Sequence, residues 1–271
     1  TLIINNIEYD HADIFHDIAA IIREFHHIVR IMPQTGEIIA PQDDNEINTV
    51  LEMGCWTPVV RFNGDKSEWL LTNNSIDYRH FSVSNAADES GEVNWSLIGE
   101  HNAYNALAAI IAANNVGVSV EQACAALSEF KSVKRRLECI FDENDIQIYD
   151  DFAHHPTAIA KTLQALRQHA EQARIIAIME PRSNTMKMGV HAKTLAGAFT
   201  EADQVLLYQS DNIGWDIADH MSELGDRCRV FKDIDDIVST VAKQHQPGDH
   251  IVVMSNGGFN GIHKKLMGVV S

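Results

Sequence analysis

From residue 132 onward the chain alternates short apolar runs with helical stretches, and this alternation restricts the fold more than any other feature. Ile146-Gln147-Ile148-Tyr149 runs into a helix opened by Pro156, and Arg174 to Met179 leads to a helix near His191 to Thr200. Gln204 to Tyr208 precedes a helix near Ile217 to Leu224, and Cys228 to Phe231 one from Ile234 to His245. His250 to Ser255 precedes a last helix near Gly261 to Met267. Strands separated by helices cannot close as tight hairpins; they pair in parallel, with each crossover laid over a sheet face. Residues 132–271 are therefore expected to form an α/β domain with a mostly parallel sheet, and the basic stretch Lys131 to Arg135 is the expected boundary.

Residues 1–131 read differently. The apolar opening, Thr1-Leu-Ile-Ile-Asn5, has the character of a strand from the interior of a sheet, which suggests that the chain is a piece of a longer one. From Ile14 to Val29 apolar residues recur every three or four positions, predicting an amphipathic helix with Asp13 as N-cap and Pro33 as its stop. Residues 35–98 hold short strand-like runs, among them Val59-Val60-Arg61-Phe62 and Trp69-Leu70-Leu71, divided by turn sequences. Asn102 to Asn114 is alanine-rich and helical, and another helix starts at Ser119, with Gln122 as capping-box partner.

Composition removes several classes of function. Lys and Arg number 21 against 38 Asp and Glu, a net charge of −17, so no nucleic-acid partner is expected and any phosphate site must be local. No apolar run approaches the ~20 residues of a membrane span, so no membrane insertion is expected. Cys55, Cys124, Cys139 and Cys228 are far apart without C-x-x-C spacing, and read as reduced cytoplasmic thiols.

In open α/β sheets ligands bind beyond the carboxyl ends of the strands. The residues there are Asn6 and Asp10-His11-Ala12-Asp13, then Asp150-Asp151-Phe152-Ala153-His154-His155-Pro156, then Glu180-Pro181-Arg182-Ser183-Asn184-Thr185, then Asn256-Gly257-Gly258. Asp10-His11-x-Asp13 offers an imidazole and hard oxygens to a divalent cation, or is an N-cap beside surface histidines. Asp150-Asp151 with His154-His155 reads as metal ligands, as a ribose-binding carboxylate with a substrate-facing imidazole, or as a strand end followed by a capped helix with Pro156 at its first position. Lys134-Arg135-Arg136, the one basic triplet, suits phosphate oxygens or is a solvated patch. Asn102 and Asn105 share a helix face, where amides can read a base edge or simply cap. Arg182 can clamp a carboxylate or lie free on the surface. Met179, Met186 and Met188 read as packing. None of the 15 glycines precedes a lysine, so the phosphate loop G-x-x-x-x-G-K-[ST] does not occur.

Taken in order, Asn6-x(3)-Asp10-His11-x-Asp13, His101-Asn102-x-x-Asn105, Arg135-Arg136-Leu-Glu and Asp150-Asp151-Phe-Ala-His154-His155-Pro156-Thr157 resemble the signatures of the Mur ligases across nearly the whole chain. The Asp-Asp-aromatic-small-His-His-Pro-Thr string is that of the branch adding to UDP-N-acetylmuramate, and Glu180-Pro181-Arg182-Ser183-Asn184-Thr185-Met186-Lys187 looks like the tripeptide-adding members used in cell-wall recycling. The resemblance implies the later part of a central ATP-binding domain over 1–131 and a C-terminal Rossmann-like ligase domain over 132–271. The upstream UDP-binding domain and phosphate loop of the family would be missing, leaving the fragment alone inactive. It implies ATP and Mg²⁺, a bacterial cytoplasmic setting, and an amide ligase joining L-alanyl-γ-D-glutamyl-meso-diaminopimelate to UDP-N-acetylmuramate through an acyl phosphate.

Residue by residue, the resemblance implies His11 as metal ligand with Asn6 nearby, Asn102 and Asn105 on adenine, Asp151 on the ribose hydroxyls and Arg136 on the γ-phosphate. His154 and Arg182 would face the muramoyl carboxylate or the peptide, with Ser183, Asn184, Thr185 and Lys187 as further peptide contacts. The resemblance implies His11, Arg136 and His154 as the catalytic set. The carbamylated lysine of some members is not expected, since the first lysine is Lys66. Three alternatives stand beside this reading: an L-alanine-adding ligase, a metal-dependent hydrolase built on the Asp-Asp and His-His cluster, and a non-catalytic binding module.

Overall fold

The structure is a computed structural model describing residues 1–64 and 67–271, and Lys66 lies outside the described residues. The chain divides into two compact units, Thr1–Lys131 and Ser132–Ser271.

The first unit runs β1 (Leu2–Ile3), α1 (Ile18–Ile31), β2 (Ile38–Pro41), α2 (Asn45–Glu52), β3 (Val59–Phe62), β4 (Trp69–Asn73), β5 (His80–Asn85), β6 (Ser90–Asn94), α3 (Glu100–Asn114) and α4 (Val120–Ser128). Its sheet has the order β1-β2-β3-β4-β5-β6, parallel from β1 to β4 and antiparallel from β4 to β6. Alternate strand residues Phe81 and Val83, with Phe62, Trp69 and Val93, are buried with Leu107, Ile110 and Ile111 of α3. Ile38 and Ala40 belong instead to the cluster holding Ile21 and Val29 of α1 and Ile47 and Val50 of α2.

Three expectations need correction here. The cap of α1 is Asp17, whose carboxylate accepts from Ala20 N at 2.7 Å, and not Asp13; Ile14, counted as the first core position, is 70% exposed. Residues 45–52, inside the stretch read as strand-like, form α2, capped by Asp44. β1, expected inside a sheet, pairs with β2 alone among the described residues.

The second unit runs β7 (Glu138–Glu143), β8 (Ile146–Asp151), α5 (Pro156–Ala170), β9 (Ile175–Met179), α6 (Asn184–Lys187), α7 (Ala192–Leu195), β10 (Gln204–Tyr208), β11 (Cys228–Phe231), α8 (Ile234–Gln244), β12 (His250–Met254) and α9 (Ile262–Val270). Its sheet order is β11-β10-β9-β12-β8-β7, all parallel except β7, which returns antiparallel on β8. Every residue of β9 is buried, as a strand covered on both faces requires. The helix expected near 191–200 is one turn of α-helix continued as a 3-10 turn, and that near 217–224 is replaced by two 3-10 turns, broken by Gly225 at φ +55°.

Candidate active site

In the second unit the last strand, β12, lies between β8 and β9, so the strand order reverses there. Met254 stands in register with both Asp151 and Met179, which brings three strand ends level. Such a switch point opens a crevice at the carboxyl edge of the sheet. Ser255 N–H donates to Asp151 C=O at 3.1 Å, and Glu180 N–H to Met254 C=O at 3.1 Å. The Ser255 hydroxyl donates to buried Glu180 Oε2 at 2.7 Å and accepts from Gly257 N at 3.0 Å. Arg182 crosses this edge. A Cβ on Gly257 would lie 2.4 Å from Arg182 Nη1, so the guanidinium rests directly on that backbone. Its side chain is 48% exposed and 3.9 Å from Glu180 Oε2, which leaves N–H groups for an incoming carboxylate.

Asp150 and Asp151 do not follow the strand; they are its last two residues and point to opposite sides. Asp151 is 4% exposed. Its Oδ1 accepts from Ala153 N at 2.7 Å and Thr162 Oγ1 at 3.3 Å, and its Oδ2 from Leu137 N at 2.6 Å. Burial pushes its carboxyl above the ordinary value, against the opposing pull of these bonds and of Arg136. Asp151, the expected ribose contact, thus ties the 132–137 loop, β8 and α5 together from a buried position. Asp150 instead meets Arg135 Nε at 3.4 Å and His263 Nε2 at 3.2 Å.

Arg136 is exposed, its guanidinium carbon 5.8 Å from the Phe152 ring centre. His154 is half-buried, edge-on to Phe152, with Nδ1 2.9 Å from the Phe152 carbonyl. Arg136 and His154 thus flank one aromatic ring. His155 caps α5, its Nδ1 accepting from Thr157 N at 3.3 Å, with Pro156 as the first helical residue.

The expected peptide contacts separate. Ser183 caps α6, accepting from Met186 N at 3.3 Å; Asn184 is exposed and Lys187 half-buried. Thr185, expected among the peptide contacts, is 2% exposed. Met188, expected to pack, is 60% exposed. The sequence alone did not single out Trp215, whose indole N–H donates to Met186 C=O at 2.7 Å and steadies α6, or Ser255. Only the adjacency of Ser255 to the Asn256-Gly257-Gly258 run could have signalled it.

In the first unit His11 takes a left-handed backbone, φ +54°, in a turn closed by Ile14 and Phe15 N–H groups on its carbonyl at 2.8 and 2.9 Å. Its own N–H donates to Asp10 Oδ1 at 2.7 Å, and its ring is 69% exposed. Asn6 donates to Glu8 Oε1 at 3.2 Å. Asn5 donates to Asn105 Oδ1 at 2.9 Å, tying the segment before His11 to α3, while Asn102 donates to Ile98 C=O at 2.8 Å. Asn102 and Asn105 therefore share the start of α3, as expected.

Among the described residues no three His, Cys, Asp or Glu side chains are grouped to hold a metal ion. Within the Asp-Asp and His-His cluster, Asp151 is taken up by three internal hydrogen bonds and His155 by the cap of α5. Mg²⁺ keeps several waters and uses few protein groups beside phosphate oxygens, so the exposed turn of His11 and Asp10 fits that ion without a closed cage.

Residues 2–113 match the model of the Mur ligase middle domain, and residues 135–257 that of the Mur ligase glutamate ligase domain. The chain belongs to the Mur ligase family. Within it, the chain is 47% identical over 268 residues to the UDP-N-acetylmuramate–L-alanyl-gamma-D-glutamyl-meso-2,6-diaminoheptandioate ligase of Escherichia coli, covering 98% of this chain and 58% of that protein. The crystal structure of a murein peptide ligase from Psychrobacter arcticus is 43% identical, with a TM-score of 0.72 over 99% of this chain and 57% of that one. The UDP-N-acetylmuramate–L-alanine ligase of Caldicellulosiruptor bescii is 31% identical, over 95% of this chain and 59% of that protein. The chain thus spans somewhat under three fifths of these relatives.

Proposed function

We propose that these residues are the nucleotide-handling and peptide-handling parts of an ATP-dependent ligase that joins L-alanyl-γ-D-glutamyl-meso-diaminopimelate to UDP-N-acetylmuramate. The observation that carries this reading is Arg182 laid over Gly257 at the switch point, half exposed, in a chain closer in sequence to a tripeptide ligase than to an alanine ligase. A tripeptide carries carboxylates remote from its reacting amine, and a guanidinium fork suits them; alanine offers only one, beside the amine.

A carboxylate is a poor electrophile. Its oxygen attacks the γ-phosphorus of ATP and ADP leaves, giving an acyl phosphate; the peptide amine then attacks the acyl carbon, phosphate departs, and the amine nitrogen loses its proton. His11 would hold Mg²⁺, which when bound would supply charge neutralisation for phosphoryl transfer. Arg136 takes the γ-phosphate from its exposed position beside Phe152. Asn102 and Asn105 present amides to the adenine, and His154 orients the reacting carboxylate or amine. Ser183, Asn184 and Lys187 line the approach of the peptide. Asp151 acts as a positioning residue. ATP and a nucleotide-linked sugar as substrates put the reaction in the cytoplasm of a bacterium.

Single-turnover assay of the full-length protein with tripeptide and with L-alanine tests this. Preference for the tripeptide is expected; preference for free L-alanine overturns the reading in favour of the alanine-adding alternative.

A further inference from the structure

Arg135 gathers more of the switch point than any residue assigned above. Its Nη2 donates to the carbonyls of Ser255 and Gly257, the latter at 2.8 Å, and its Nε lies 3.4 Å from Asp150. Its guanidinium carbon is 5.2 Å from the Phe152 ring centre, in front of the same ring that Arg136 approaches. Its backbone is tied as well: the N–H donates to Glu138 Oε2 and the carbonyl accepts from Phe152 N, both at 2.9 Å. The residue sits at φ +61°, between Ser132 at +53° and Leu137 at +48°, left-handed positions that side chains rarely hold without support.

Two carbonyls past the end of β12 cannot both bond to β-sheet partners, and a planar guanidinium supplies two N–H groups from one nitrogen at the angle they need. The same side chain therefore fixes the 255–257 backbone on which Arg182 lies and the loop on which Arg136 is carried. We propose that Arg135 is a positioning residue for the ligase reaction, setting Arg136 and Arg182 at fixed places on one crevice without touching substrate itself. This rests on the function proposed above.

The test compares Arg135→Ala and Arg135→Lys with wild type in the full-length protein, by kcat, KM for each substrate and melting temperature. A lysine keeps the charge, but its shorter side chain ends in a single nitrogen that cannot reach both carbonyls and also meet Asp150 as the guanidinium does. Arg135→Lys is expected to melt close to wild type and to lose at least about tenfold in kcat, because misplacing reacting groups costs rate more than binding. Arg135→Ala is expected to lose more and to regain activity when guanidinium ion is added below denaturing concentration, which a lesion in folding alone would not do. Activity of both variants within about twofold of wild type, or a loss that tracks melting temperature without guanidinium rescue, overturns the proposal while leaving the ligase reading intact. Wild-type protein that forms no amide product overturns the ligase reading itself, and the proposal with it.

Discussion

Replacing Asp151 with asparagine sets two physical effects against each other at one buried atom pair. The carboxylate accepts from Ala153 N, Thr162 Oγ1 and Leu137 N. Asparagine has one oxygen, which can keep Ala153 and Thr162; its amide nitrogen then faces the Leu137 N–H, which stands 2.6 Å from Oδ2 in the native structure. A buried donor left without an acceptor costs about 1–3 kcal/mol. For a unit of this size each kcal/mol lowers Tm by roughly 3–5 °C, so Asp151→Asn is expected to melt roughly 3–15 °C lower at pH 7.

The opposing effect is relief of the desolvated charge, and it sets the pH dependence. Burial raises the carboxyl of Asp151 in the folded state. Between the unfolded and folded values the native protein holds more protons, so the stability due to this group is complete below the unfolded value of about 4. It declines as pH rises through the folded value. The difference between wild type and Asp151→Asn is therefore expected to be larger near pH 4 than at pH 7. Urea unfolding at both pH values measures it. A variant at least as stable as wild type at pH 7, or a difference that grows with pH, refutes the reasoning.

Gly257→Ala places a methyl where Arg182 lies and the mobile guanidinium must give way, so KM for the tripeptide is expected to rise severalfold with little change in melting temperature; steady-state kinetics and calorimetry decide it. Gly189 stands at φ +74° with Trp215 Cδ1 2.9 Å from a would-be Cβ, so Gly189→Ala is expected to cost more than ~1 kcal/mol in urea unfolding. Asp17→Ala removes the cap of α1 and is expected to cost about 1 kcal/mol by the same measurement. His11→Ala is expected to raise the Mg²⁺ concentration for half-maximal ligase rate by roughly tenfold or more, read by Mg²⁺ titration of the full-length protein.

The parallel sheet of the second unit was legible because its strands are continuous Ile/Val runs, fixed by burial on both faces. β7 was not: Glu138-Cys-Ile-Phe-Asp-Glu143 alternates weakly, and nothing local reveals that it returns on β8. The cap of α1 was misplaced because Asp13 and Asp17 both precede apolar residues, and only the fold shows that Ile14 faces solvent. α2 was hidden because eight residues carry too few turns for a clear period. At the site, motif order picked out the right segments, but neighbouring residues of one motif have opposite fates. Asp151 and Thr185 turn inward while Asp150 and Asn184 do not, and that choice depends on strand pleat and helix phase set by tertiary packing. Arg135 stood out as part of the basic triplet, but its bridging role did not, because its partners, Ser255 and Gly257, lie 120 and 122 residues away.

The placement of β12 has a consequence for biosynthesis. As the chain emerges from a ribosome, everything up to α8 can assemble only as two separate half-sheets, β11-β10-β9 and β8-β7, whose facing edges present unpaired backbone of apolar strands. Such edges are sticky templates. The closing strand is also the one that carries Ser255 and Gly257 into place, so a stalled or clipped polypeptide is left both aggregation-prone and unable to seat Arg135.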